Sequence, residues 1–351
     1  MELDLPYRID SIQELPGHQD RAWHVAWNPA KPLLASCSAD KSVRMYSYTS
    51  PTNSSPPAFS HITTIPTGHT KTVRAVAWAP SGNTLATASF DANIGVWEQE
   101  EAEEGEGRKG EWECASLLEG HETECKSVAY SSSGTLLASC SRDKTVWIWE
   151  VHPDSDFECM SVLMEHSQDV KCVAWHPVEE ILASASYDDT IKMYIDDPSD
   201  DWFCFTTLTG HSSTVWSLAW SPKGSYLASA SDDKTVRIWR RVAEHKWECA
   251  LVLEGNERSV YSVSWGTGKP SSSSGLGWVA AVGGDGVVRV WELSENEDST
   301  LRHKLIAQLP NAHGVYDVNS VVWCPRDGFE DLFATTGDDG ATRIWRIQPG
   351  P

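Results

Sequence analysis

Gly120-His121, Val128-Ala129-Tyr130, Leu137-Ala138-Ser139-Cys140-Ser141, Arg142-Asp143-Lys144 and Thr145-Val146-Trp147-Ile148-Trp149 form one unit of this sequence. Its last two apolar runs alternate with the period of half-buried strands. Asp143 and Lys144 between them predict a tight hairpin turn. The unit recurs. Its closing aromatics are Tyr46, Trp97, Trp149, Tyr194, Trp239, Trp291 and Trp345, spaced by 51, 52, 45, 45, 52 and 54 residues. An aspartate stands six residues before each: Asp40, Asp91, Asp143, Asp188, Asp233, Asp285 and Asp339. A histidine stands 22 residues before the first five of these, at His18, His69, His121, His166 and His211. The sixth copy has Asn256 instead, 29 residues ahead of its aspartate, and the seventh has His313, 26 ahead. The register inside each copy is fixed and the connections vary, as expected when each copy is one supersecondary unit.

Such a period, with Gly-His near its start and a Trp-Asp-like pair near its end, resembles the WD40 pattern of four strands per propeller blade. The pair drifts here to Trp-Glu, Trp-Arg and Tyr-Ser. Histidine, a second-strand serine, the turn aspartate and the closing tryptophan are expected to form a buried hydrogen-bonded chain that specifies register. Copies one and four end in tyrosine and copy six lacks the histidine, so weaker chains are expected there.

Seven copies predict an all-β, seven-bladed WD40 propeller. The last copy supplies three strands, and a spare strand, Ile9–Leu15, precedes the first. That strand is expected to complete the last blade and remove the exposed edge. After a polar leader at 1–8, the blades fall at about 18–66, 67–117, 118–163, 164–208, 209–253, 254–309 and 310–348 plus 9–16.

The net charge of −22 and pI of about 4.8 argue against nonspecific binding to nucleic acid or an anionic membrane surface. No apolar run approaches the roughly 18 residues a membrane span needs, and the N-terminus does not read as a signal peptide. Nine cysteines contain no Cys-x-x-Cys pair. Cys114, Cys159, Cys204 and Cys249 each precede a repeat's histidine position by seven residues, and Cys37 and Cys140 share a second-strand place. They read as small hydrophobes of the framework rather than metal ligands. Free thiols in this number suit a reducing cytosol or nucleus.

The copies differ mainly in their loops. Ser47–Ser60 is rich in Ser, Thr and Pro, and Glu98–Glu106 holds six glutamates before Gly107 and Gly110. These read as a mobile loop and a solvated tip. Asp196–Asp201 has four aspartates but lacks the glycine and bidentate glutamate of a Ca²⁺ loop. The serine-rich insert within Gly266–Gly277 reads as a flexible linker. All fall between strands one and two or three and four, at one end of a ring.

At the other end two sets of positions vary while their neighbours repeat. One precedes each turn aspartate: Ala39, Phe90, Arg142, Tyr187, Asp232, Gly284 and Asp338. The other lies on the first strand: Trp23, Arg74, Lys126, Lys171, Trp216, Tyr261 and Asn319. Arg74, Lys126, Arg142, Lys144 and Lys171 predict a basic crescent on blades two to four, with Phe90 and Tyr187 beside it. Cations and aromatics at a channel mouth are the residue types of binding hot spots. The implied ligand is a carboxylate-bearing peptide segment. Arg142 stands out because its ring neighbours leave its planar fork accessible for bidentate pairing.

No catalytic constellation is found. The repeated His, Ser and Asp occur in blade after blade and are explained by the fold, and there is no Gly-x-Ser-x-Gly, phosphate loop or His-Glu-x-x-His. The runs Gly17–Trp23, Ser141–Glu150, Glu165–Lys171, Ala185–Thr190 and Ala312–Asn319 resemble the WD40 protein of the cytosolic iron–sulfur protein assembly targeting complex, in a fungal-like version. The resemblance implies a non-catalytic adaptor without a cofactor, found in the cytoplasm and also the nucleus. It implies partners: a small acidic-domain assembly factor, a HEAT-repeat scaffold, an iron-only-hydrogenase-like cluster carrier and client apoproteins that receive [4Fe–4S] clusters. It also implies a functional role for Arg142. Two rivals are a ubiquitin-ligase substrate receptor and a propeller enzyme. The first expects Trp-Asp-x-Arg, where this chain has Trp149-Glu150-Val151-His152 and Trp239-Arg240-Arg241-Val242. The second needs an acid–base cluster, and the rings offer only Asp232 and Asp338, on separate blades.

Overall fold

A computed structural model describes residues 5–49, 56–99, 111–153, 156–197, 201–269 and 274–350. The first four residues of the leader, and the central parts of the loops predicted at 47–60, 98–110, 196–201 and 266–277, lie outside these residues. Seven four-stranded antiparallel sheets form the blades. In blade three the strands run from the centre outwards as Cys125–Tyr130, Leu136–Ser141, Val146–Val151 and Phe157–Leu163. The innermost strands touch one another around a closed ring, blade seven returning to blade one.

Packing explains the composition of each strand. The second strand of blade three is buried at all six positions, so the half-buried pattern predicted for it does not hold. It lies between the sheets of two neighbours, and side chains as small as Ala138, Ser139 and Cys140 let those sheets approach. Apolar clusters fill the spaces between blades. One joins Ala86, Ile94 and Val96 of blade two to Val128, Leu137 and Trp149 of blade three. Burying a large apolar side chain contributes about 1.5–3 kcal/mol. In blades one, two, four and five the indole closing the innermost strand also reaches back one blade: Trp78 donates to the Ala26 carbonyl at 3.1 Å and Trp175 to that of Ala129 at 3.0 Å, and Trp27 and Trp220 do likewise.

Blade seven is completed by the N-terminal strand, as expected, but that strand starts at Tyr7, inside the predicted leader. Tyr7 pairs with Pro349 and packs edge-on to Trp278, ring centroids 5.4 Å apart.

The buried polar chain forms. In blade three Trp149 donates its indole N–H to Ser139 Oγ (3.1 Å), Ser139 Oγ meets His121 Nε2 (2.9 Å), and His121 Nδ1 meets Asp143 Oδ2 (2.9 Å). The two tyrosine copies differ from each other. In blade four Tyr194 OH lies 3.3 Å from Ser184 Oγ, so the chain is complete. In blade one the Tyr46 hydroxyl instead accepts from Arg44 Nε at 3.1 Å, and Ser36 bonds to His18. Blade six replaces the histidine from another strand: Arg289, 5% exposed, donates to Asp285 at 2.7 Å and to Asn256 at 3.1 Å. Tyr194→Phe is expected to cost about 1 kcal/mol, a single buried hydrogen bond. Chemical denaturation of the pair would measure it, and a loss near zero would mean blade four does not use that hydroxyl.

Candidate functional site at the channel mouth

The first-strand ring predicted from sequence is a ring of β-bulges. In every innermost strand the register slips by one residue, between Ala22 and His24, Val73 and Ala75, Cys125 and Ser127, and likewise onwards. The skipped residues are Trp23, Arg74, Lys126, Lys171, Trp216, Tyr261 and Asn319. A bulged residue is left out of the ladder and its side chain is re-aimed. Here the side chains converge on a cavity of about 320 Å³, lined also by Phe90, Arg21, Asp317 and Asp338.

Its basic and aromatic residues are interleaved. Arg74 stacks over Trp23 at 4.8 Å, and Lys126 lies over Phe90 at 4.1 Å. Lys171 lies between Tyr187 at 5.3 Å and Trp216 at 5.0 Å. Such contacts are worth about 0.5–2 kcal/mol and hold the cations in place. The far side is acidic and hydrogen-bonded. Trp216 donates to Asp232 at 2.6 Å, Tyr261 to Asp317 at 3.4 Å and Asn319 to Asp338 at 2.9 Å. Arg21 pairs with Asp338 at 3.4 Å.

The predicted crescent is therefore only partly assembled. Arg74, Lys126 and Lys171 meet in the cavity with Phe90, Trp23, Trp216 and Tyr261. Arg142 and Tyr187 stand on the rim, with the Arg142 side chain 59% exposed. Lys144 is not brought to the cavity. It occupies the left-handed turn position, φ 74°, shared with Lys41, Ala92, Asp189 and Lys234, and so belongs to the hairpin rather than the site. Nor is the crescent a bare field of positive charge. Glu124 pairs with both Lys126 and Arg142, and Asp169 pairs with Lys171 at 3.2 Å.

Those two carboxylates belong to a third ring, with Arg21 and Asp317, that was not recognised from the sequence. Each member lies two residues before the bulge. Its carbonyl accepts the N–H of the residue preceding the turn aspartate: Arg21 from Ala39, Glu124 from Arg142, Asp169 from Tyr187, Asp317 from Asp338. The constant offset was the available signal. Burial pulls Lys126 below the usual lysine range; its bond to Glu124 opposes this, while Lys171 and Arg74 add to it. Beneath the mouth, burial and then the charge of Arg74 hold His24 at about 4, so that imidazole is neutral at pH 7.

The cysteines differ in burial, with Cys172 on the first strand of blade four intermediate. Cys37, Cys125, Cys140 and Cys324 are buried, as small hydrophobes should be. Cys114, Cys159 and Cys249 are exposed and Cys204 is half-buried, which corrects the framework assignment for that set. Each pairs with its blade's closing aromatic across a second bulge, on the outer strand. Among the described residues no group of three His, Cys, Asp or Glu side chains converges as metal ligands would.

The sequence pattern of the WD domain, G-beta repeat, matches residues 9–47, 60–98, 112–150, 157–194, 202–240, 247–292 and 303–346. The chain belongs to the WD40 family. Each WD40 repeat starts on the outer strand of one blade and ends on the third strand of the next: 112–150 begins with Trp112–Leu118 of blade two. The unit of sequence thus staples neighbouring blades together.

Curated relatives are similar over part of their length. A protein of Cryptococcus neoformans var. neoformans serotype D, called "Probable cytosolic iron-sulfur protein assembly protein 1", is 47% identical over 182 residues, 42% of this chain and 41% of the relative. A protein of the same description from Mycosarcoma maydis is 47% identical over 173 residues, 41% and 38% of the two chains. One from Malassezia globosa is 61% identical over 94 residues, 26% of each. The matches thus span at most 41% of the relatives named here.

Proposed function

We propose that this chain is a non-catalytic adaptor of cytosolic iron–sulfur protein assembly. The observation that carries the reading is 47% identity to a fungal relative of that description across 182 residues. The mouth supports it, since cation–aromatic pairs in a cavity of about 320 Å³ suit recognition of a peptide segment. In this reading the adaptor joins a small acidic-domain assembly factor, a HEAT-repeat scaffold and an iron-only-hydrogenase-like carrier. The assembled complex directs [4Fe–4S] clusters, as cargo, to apoproteins of the cytosol and nucleus. The mouth engages an acidic segment of one of these partners. Arg142 on its rim meets that segment first, through a fork that Glu124 at 3.5 Å holds loosely.

Capture of partners from native cytosol with the wild type and with Arg142→Glu tests this. Arg142 is exposed, so the variant is expected to melt with the wild type, within about 0.5 kcal/mol. The wild type is expected to bring down iron–sulfur assembly factors, and the variant to lose at least one of them. Recovery of ubiquitin-ligase subunits without any cluster protein would overturn the reading.

A further inference from the structure

Arg74, Lys126 and Lys171 come from three consecutive blades and line one cavity. Their carboxylate partners do not balance them. Asp169 serves Lys171, and Glu124 is divided between Lys126 and Arg142. Among the described residues the Arg74 guanidinium has no carboxylate partner; it rests on the Trp23 ring. Three cations in the cavity and Arg142 on its rim therefore face two carboxylates, an excess of two positive charges on this side of the mouth. The aromatic faces fix where those charges sit. The opposite wall holds Asp232, Asp317 and Asp338, fixed in place by Trp216, Tyr261, and Asn319 and Arg21, so the negative charge of the mouth stays on that side and the positive excess on this one.

We propose that this wall is a cradle for a phosphate monoester, and that the peptide segment entering the mouth is phosphorylated. The proposal rests on the reading of the mouth as a partner site and names the chemistry it selects. A phosphoryl group carries a charge of about −1.5 to −2 at pH 7 and three acceptor oxygens. It matches the two excess charges and the three donor groups, whereas one carboxylate leaves a cation unpaired. Arg74 supplies the planar fork, and Lys126 and Lys171 supply point charges from their ring-held positions. Asp317 and Asp338 repel the group from the far wall and so fix its side of the mouth. Trp23 and Trp216 flank the cradle and take the neighbouring peptide. Phosphorylation of a partner would then switch its affinity for the ring.

The probes are inorganic phosphate and three fluorescent pentapeptides, in which alanines flank a phosphoserine, an aspartate or a serine. Anisotropy and calorimetry at constant ionic strength read binding to the full chain. The phosphoserine peptide is expected to bind saturably, at least as tightly as free phosphate, with the aspartate peptide weaker by about tenfold or more. Arg74→Gln is expected to weaken the phosphoserine peptide by at least about tenfold. Arg302→Gln, which removes an exposed charge from an outer strand, should leave it unchanged. If Arg74→Gln fails to fold, Lys171→Gln is read in its place. Equal binding of the three peptides, binding of free phosphate without the peptide, or an Arg74→Gln titration identical to wild type would each overturn the cradle. The adaptor reading fails separately. Loss of the cradle with assembly factors still captured leaves the adaptor standing, and peptide binding without any captured assembly factor leaves the cradle standing.

Discussion

A chain shortened to begin at Gly17 is expected not to form a stable ring. The missing strand, Tyr7–Leu15, pairs with Thr342–Pro349 at eight positions and buries Ile9 and Leu15. Each ladder hydrogen bond contributes about 0.5–1.5 kcal/mol, and each buried apolar side chain about 1.5–3 kcal/mol. The loss is on the order of 10 kcal/mol, comparable to the whole stability of a typical domain. It also uncovers Ile344 and Ile347 and leaves the last blade with a bare strand edge, a template for aggregation. Soluble yield and a thermal melt would read the result. The same nine residues, placed after residue 350 through a short linker, should restore folding, because Gly350 N–H already meets the Pro6 carbonyl at 2.8 Å. A shortened chain that melts within a few degrees of the full one would show that closure matters little.

Asp143→Ala is expected to cost about 3–5 kcal/mol, as when one partner of a buried pair is removed. The carboxylate, 7% exposed, accepts from His121 at 2.9 Å, from the Glu122 amide at 3.0 Å and from the Thr145 amide at 2.9 Å, and all three lose that acceptor. Urea unfolding would measure it; a cost under 1 kcal/mol would mean the polar chain is ornamental to stability. The same groups make the ring acid-sensitive. Burial alone would raise the carboxyls of Asp40, Asp91, Asp143, Asp188, Asp233 and Asp339, but histidine and backbone donors outweigh it and hold each below the usual range. A carboxyl held lower in the folded than in the unfolded state stabilises the fold above its unfolded pKa of about 3.9. That stability is lost as pH falls through about 4 and below. Cooperative acid unfolding is therefore expected in that window, and Asp143→Ala should flatten it. A melting temperature unchanged between pH 6 and pH 3 would contradict this account.

The ring, its closing strand and its histidine-to-aspartate chains were legible because each repeats at a fixed spacing, and spacing survives drift at single residues. What repeats invisibly was missed. A one-residue slip in strand pairing leaves no mark on apolar alternation, so the bulges that turn Trp23, Arg74 and Lys126 into the channel were not foreseen, although the positions themselves stood out as variable. Charge was misjudged for a related reason. Lys126 and Lys171 looked free in sequence because Glu124 and Asp169 precede the strand, where alternation assigns no side; in the structure each carboxylate reaches the lysine at the bulge two residues on. Lys144 was read as part of the basic crescent although its turn geometry had been predicted, and the turn holds it away from the cavity. Arg289 escaped notice because its partner Asn256 lies 33 residues earlier, in a copy that appeared merely to lack a histidine.

The bulge on each outer strand gives the molecule a built-in clock. It leaves Cys114, Cys159 and Cys249 open to reagent at matched positions on three blades, while Cys37, Cys125 and Cys140 are sealed in the second and first strands. An alkylating agent should therefore label the folded ring in two phases, a fast one on the rim and a slow one gated by separation of the blades. The second rate times how often neighbouring blades part around Cys37, Cys125 and Cys140, without any label having to be engineered in.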